Sequence, residues 1–208
     1  MRKTFLLLPL FAAVLFLFAG CGAKGQAADA DSEEGYANAI ELLKKNIETS
    51  RYKVYYMKFE TTSKMANNME SVTVKMVNDK DLAFSQKFMI VGNNRAMPME
   101  SVVGTFESPV YKDTKGIDLS KLDAKAIVAQ IDAAKKLIPE GAKFKSIDEY
   151  CISESVPAGN VAFNEGKTFG EQTTTFTVVY EKAMTEGAEP GIFVTRATVQ
   201  PDGSVKLD

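Results

Sequence analysis

The sequence predicts an α+β fold of two helix-plus-four-strand units, in which antiparallel sheet, continuous or in two pieces, carries the helices on one face. Two observations predict it. Apolar side chains recur at helical spacing in two stretches, Tyr36, Ile40, Leu43, Ile47 and Ile127, Ile131, Ala134, Ile138. After each stretch come runs rich in aromatic and β-branched residues that alternate every second position and are broken by polar turns. With 208 residues, 45% of them hydrophobic, the chain is long enough to bury a core without covalent staples.

The N-terminus is a different kind of segment. Met1, Arg2 and Lys3 begin it, residues 5–18 are apolar apart from Pro9, and Ala19, Gly20 and Cys21 close it. That is the charge and hydropathy profile of an export signal. The apolar run falls short of the ~20 residues that cross a hydrocarbon core. The run Leu17, Phe18, Ala19, Gly20, Cys21 resembles the lipobox of bacterial lipoproteins, with Phe18 where that family more often has leucine. Small side chains let the scissile bond enter a protease cleft, and the cysteine thiol is the group available to alkylate. The resemblance implies that residues 1–20 are removed and that Cys21 carries a lipid. It also implies an anchored place in the bacterial cell envelope, the outer membrane favoured over the inner, facing the periplasm or the cell surface. The membrane is then one partner, reached through that lipid.

From 22 to 35 the residues are small, polar or acidic, so 21–35 is expected to be a lipidated cysteine followed by a flexible acidic tether. The folded part is expected at 36–208, as one body or as two similar halves, 36–116 and 117–208. The first helix covers residues 36–50, with Asp31 or Ser32 as its cap. Strands follow at 52–62 and around Val72, Val74 and Met76. A polar turn at Asn78, Asp79, Lys80 and Asp81 leads to a strand over Leu82, Phe84, Phe88 and Ile90, and a further strand is expected at 101–107. In the second half, Ser120 and Asp123 fit a capping box, and Pro139 with Gly141 stops the helix. Strands are expected at 143–153, 173–182, 192–200 and 204–207, the last two joined by a turn at Pro201, Asp202 and Gly203. The arrangement is similar to the cystatin-like and tandem β-lactamase-inhibitor architectures. A shared architecture fixes no function.

Composition bounds the chemistry. The 25 basic and 27 acidic residues leave a net charge of −2, so no nucleic-acid partner is implied. There is no histidine, which excludes Ser-His-Asp, Cys-His and His-zinc chemistry. Gly166, Lys167 and Thr168 fail as a phosphate loop because Val161 stands where the first glycine belongs. Asp29, Asp31 and Glu33 fail as a calcium loop because the sixth position is Glu34 and the twelfth Ile40. Met65, Met69, Met97 and Met99 offer soft ligands to Cu(I), but no histidine completes such a site and methionines in strand patterns are ordinary packing residues. Cys151, the sole cysteine left once Cys21 is acylated, reads as a small buried hydrophobe. No catalytic residue, metal ligand or cofactor is nominated. The expectation is a non-enzymatic binding or assembly module whose partner is an envelope protein. The alternative is a carrier of a lipid or other small hydrophobic ligand in an apolar pocket. Tyr56, Phe84, Phe88 and Phe176 are the candidate ligand or partner surface.

Overall fold

The computed structural model describes residues 28–208 apart from 93, 105, 160 and 185–188. The signal segment, Cys21 and the tether up to residue 27 lie outside the described residues. Among the described residues two helices accompany a nine-stranded antiparallel sheet. Helix α1 is Glu33–Asn46, followed by β1 Tyr52–Ser63, β2 Ala66–Asn78, β3 Ala83–Met89 and the two-residue strands β4 Arg95–Ala96 and β5 Glu100–Ser101. A 3-10 turn at Leu119–Lys121 leads to α2 Ala124–Lys135, then β6 Lys143–Glu154, β7 Gln172–Lys182, β8 Gly191–Val199 and β9 Val205–Leu207. The strand order is β4-β3-β2-β1-β6-β7-β8-β9, and β5 also pairs with β3. The sheet is therefore continuous across the middle of the chain, because β1 pairs directly with β6.

Local chemistry sets the element ends. Ser32 rather than Asp31 caps α1, its Oγ accepting the Gly35 N–H, and the helix starts three residues earlier than its apolar stripe suggests. At α2 the cap is Asp123 itself, which accepts the Lys125 N–H, so Ser120 lies ahead of the helix in the 3-10 turn capped by Asp118. The β2–β3 turn is held by Asn78, whose side chain accepts the N–H groups of Lys80 and Leu82.

The core joins both helices to the sheet. Tyr36 of α1 sets its ring edge-on to Phe59 of β1 at 5.1 Å and to Tyr150 of β6 at 5.6 Å. Tyr150 in turn stacks on Phe176 of β7 at 5.4 Å. Ile127, Ile131 and Ala134 of α2 belong to the same cluster, as do Met57, Val72, Val74, Met76 and Val178. Aromatic contacts of this kind add about 0.5–1.5 kcal/mol each beyond the area they bury.

One expectation is corrected. The strand expected at 101–107 is reduced to the Glu100–Ser101 pairing, because Gly104 turns left-handed at φ +75 and Glu107 is drawn away to Lys75 and Tyr55. The residues just ahead of α1, within the expected tether, lie against β2 and α2. Ala28 C=O accepts the Met69 N–H, Ala30 N–H donates to Asn67 C=O, and Ala30 is buried. The Asp31 carboxylate meets the Lys135 ammonium at 2.6 Å. Burial acts to lower the pKa of that ammonium, and the Asp31 and Asp132 carboxylates reverse the effect and leave it raised. Small side chains lack the apolar area to order a segment alone, but they let its main chain lie close against an open strand edge.

Candidate functional site

The face of the sheet away from the core is built by one irregularity. β1 carries an extra residue against β2 between Val54 and Tyr56, so Tyr55 and Tyr56 both lie off the core cluster while Val54 and Met57 stay in it. From there Tyr56, Lys58 and Glu60 alternate with the core residues Met57 and Phe59, and pair across to Ser153, Cys151 and Glu149 of β6. Thr175 and Thr177 of β7 and Arg196 of β8 continue the row, and with Tyr56, Glu149, Cys151 and Ser153 they line an open cleft of about 440 Å³.

Its groups are already engaged with one another. Lys58 Nζ pairs with Glu60 at 2.7 Å, Thr73 donates to Glu60 at 3.0 Å, and Lys75 Nζ lies 5.1 Å from the Tyr56 ring centre. Arg196 donates to Thr175 at 3.3 Å. Tyr56 Oη and Cys151 Sγ are 3.9 Å apart. Burial pushes the Cys151 thiol up to about 11, and the charge on Glu149 adds to the rise. A thiol held protonated at neutral pH is a poor nucleophile, so this cleft is suited to polar contact rather than covalent chemistry.

This environment predicts an alkaline loss of stability. The folded thiol keeps its proton to about pH 11, whereas an unfolded cysteine releases it at its ordinary pKa. Between those values the unfolded state binds fewer protons, so stability falls as pH rises. Urea unfolding is expected to be nearly flat from about pH 6 to 8, where no histidine titrates, and to weaken above about pH 9. Cys151→Ala should lessen that weakening by at most about 1 kcal/mol per pH unit, reduced by the thiol's partial exposure. Superimposable pH profiles for the two chains would show the thiol to be unperturbed.

The second constellation is a ribbon made from the connection after β5 and the connection after β6. Glu107 bridges to Ala158, Ser108 N–H donates to Pro157 C=O, and Gly159 N–H to Phe106 C=O. Asn164 clasps Ala158 from the other side through both its N–H and its C=O. The ribbon is fixed to the sheet by Glu107, which takes the Lys75 ammonium at 3.0 Å and the Tyr55 hydroxyl at 3.4 Å. Burial first, and the Glu107 charge second, push the Tyr55 hydroxyl well above its usual range. Glu154, 4% exposed, accepts the N–H groups of Lys115 and Gly116, both at 2.7 Å. Lys53 donates to the carbonyls of Tyr111 and Thr114 beneath the Tyr111 ring. On this well-tied frame Val103 is 83% exposed and Phe106 85%, and Phe163 beside Asn164 is also exposed.

No protein-family model, curated protein or solved structure matches the chain.

The four aromatic residues nominated from the sequence do not form one surface. Phe88 and Phe176 are fully buried in the core. Phe84 is half-buried against that core, edge-on to Tyr52 at 5.8 Å. Tyr56 alone of the four lines the opposite, open face. Strand alternation shows which residues share a face but not which face is covered, and the bulge at Tyr55 shifts the phase. Sequence reading missed Val103, Phe106, Glu107 and Glu154. The adjacent Val102 and Val103 followed by Gly104 break two-residue alternation, which was the available signal that a loop begins there. Among the described residues no group of three acidic or cysteine side chains is placed to hold a metal ion.

Proposed function

We propose that the chain is a non-enzymatic binding or assembly module of the bacterial cell envelope, held at the membrane by a lipid on Cys21. The observation that supports this most is the position of its exposed apolar residues. The first described residues, Ala28 to Ala30, lie against Asn67 and Met69, beside the β1–β2 hairpin. The ribbon that carries Val103 and Phe106 is tied to Tyr55, at the other end of β1. Six residue steps along the strand lead from Tyr55 to Thr61, which pairs with Met69, a span of roughly 20 Å. A body tethered by its N-terminus thus holds its apolar tip away from the anchor, where an envelope protein with an apolar recess is the fitting partner. Large side chains left this exposed on a braced loop serve no packing purpose in the monomer.

In this reading the two helices lie over the core face, and the chain is two helix-plus-strand halves, 36–116 and 117–208, joined at β1 and β6. The order β3-β2-β1 mirrored by β6-β7-β8 supports that division. The alternative, a carrier of a lipid or small hydrophobic ligand, would need space where Tyr150, Phe176, Tyr36 and Phe59 pack on one another.

The test uses the full chain in cells. Cys21→Ala should move the protein from the membrane to the soluble fraction and abolish acyl labelling. A photoreactive side chain at Val103 should crosslink to an envelope protein, and Phe106→Ser should reduce that adduct severalfold without changing the unfolding midpoint. Membrane partitioning unaltered by Cys21→Ala would remove the anchor, and an adduct insensitive to Phe106→Ser would remove the apolar tip as the contact.

A further inference from the structure

The outer edge of β8 is half covered. β9 pairs with Ala197, Thr198 and Val199, and Asp208 N–H continues the ladder by donating to Arg196 C=O. Among the described residues nothing pairs with β8 on that side from Gly191 to Thr195. The Asp208 bond fixes the phase. Arg196 turns its main-chain groups to the outer edge, so Val194 and Ile192, two and four residues earlier, do the same. Their side chains are 49% and 44% exposed. A run of open N–H and C=O groups bearing exposed β-branched side chains is a template for another strand.

We propose that this edge pairs with the same edge of a second copy, antiparallel, about a twofold axis at Phe193. The choice of a second copy rests on the register. With the axis at Phe193, Ile192 of each copy faces Val194 of the other, and the N–H and C=O of both residues are all satisfied in four hydrogen bonds. An axis at Ile192 sets Val194 against Pro190, which has no N–H to give. An axis at Val194 sets Ile192 against Arg196, whose carbonyl Asp208 already occupies. β8 begins at Gly191, so the incoming strand ends opposite Thr195 and leaves β9 in place. The same register pairs side chains of like kind. Ile192 covers Val194 on one face. On the other, the two Phe193 rings meet at a non-hydrogen-bonded pair, where strands approach most closely, and each already stacks on its own Tyr180 at 5.6 Å. The contact is isologous and closes at two copies.

The experiment uses the full-length chain in membranes, in a Cys151→Ser background, under mild oxidation. Phe193→Cys is expected to give a disulfide dimer at least tenfold more abundant than either the Cys151→Ser parent or Thr195→Cys. In this register the two Thr195 positions are four residues out of step, about 13 Å, too far for a disulfide. Adding Val194→Lys at its exposed position should remove the dimer while circular dichroism stays unchanged. Equal dimer from Phe193→Cys and Thr195→Cys, dimer that survives Val194→Lys, or a Phe193→Cys adduct with some other protein in place of the dimer would each overturn the proposal.

Discussion

Tyr150→Ala is expected to lower the unfolding free energy by about 3–5 kcal/mol, the cost of deleting a large aromatic side chain from a packed core. Tyr150 is buried where β6 meets the helices and β7. Its ring touches Tyr36, Phe59 and Phe176, and its hydroxyl donates to the Gln130 side chain of α2. Alanine leaves a cavity bounded by three rigid rings, which cannot collapse into it without losing their own contacts. For a domain of this size the midpoint should fall by roughly 2–4 °C per kcal/mol. Tyr150→Phe separates the ring from the hydroxyl. It keeps the packing and removes only the bond to Gln130, at about 1 kcal/mol. Urea unfolding with an unchanged m-value would measure both. A Tyr150→Ala chain within 1 kcal/mol of wild type would show that the four-ring cluster is not the centre of the core.

The parts of this fold that the sequence made legible are those governed by repetition along the chain. The stripe Ile127, Ile131, Ala134 of α2 and the alternation of β1, β2, β6, β7 and β8 come from the geometry of one helix or one strand. Parts governed by a distant partner were not legible. Whether residues 101–107 extend β5 depends on Lys75 and Tyr55 competing for Glu107, and on Glu154 holding the chain farther along. Whether Ala28 to Ala30 are ordered depends on the free edge of β2 at Asn67 to Met69. Phe88 and Phe176 were recognisable as strand residues, but their burial follows from the core cluster that distant elements build around them rather than from their own spacing. The exposed Phe106 was invisible for the same reason in reverse. Nothing local distinguishes a phenylalanine that finds a core from one that a loop holds away from it.

Glu154→Ala is the second change with a large expected effect, and it tests what positions the ribbon. Glu154 is the last residue of β6, nearly without solvent, and its two oxygens are each taken by a main-chain N–H of the connection that leads to α2. Among the described residues no cationic side chain pairs with it. A buried carboxylate is tolerable there because two N–H dipoles converge on it, and those N–H groups are tolerable because the carboxylate is there. Gly116 turns at φ +85, a conformation that strains any residue with a side chain, and a Cβ added to it would sit 3.3 Å from the Cβ of Lys53, so the connection passes close to β1. Alanine at 154 strands both N–H groups, at about 1–3 kcal/mol each, so a loss of about 2–4 kcal/mol is expected after partial hydration. Glutamine is no full rescue, since its amide nitrogen would face one of the two donors. Much of the loss should appear as local opening of the connection before global unfolding. Chymotrypsin cleavage at Phe106 under native conditions is then expected to accelerate at least tenfold in Glu154→Ala, and less in Lys53→Met, where only the carbonyls of Tyr111 and Thr114 lose their donor. Equal cleavage rates in Glu154→Ala and wild type would mean that the ribbon is held by Glu107 alone, and that the apolar tip owes its position to the Lys75 and Tyr55 contacts.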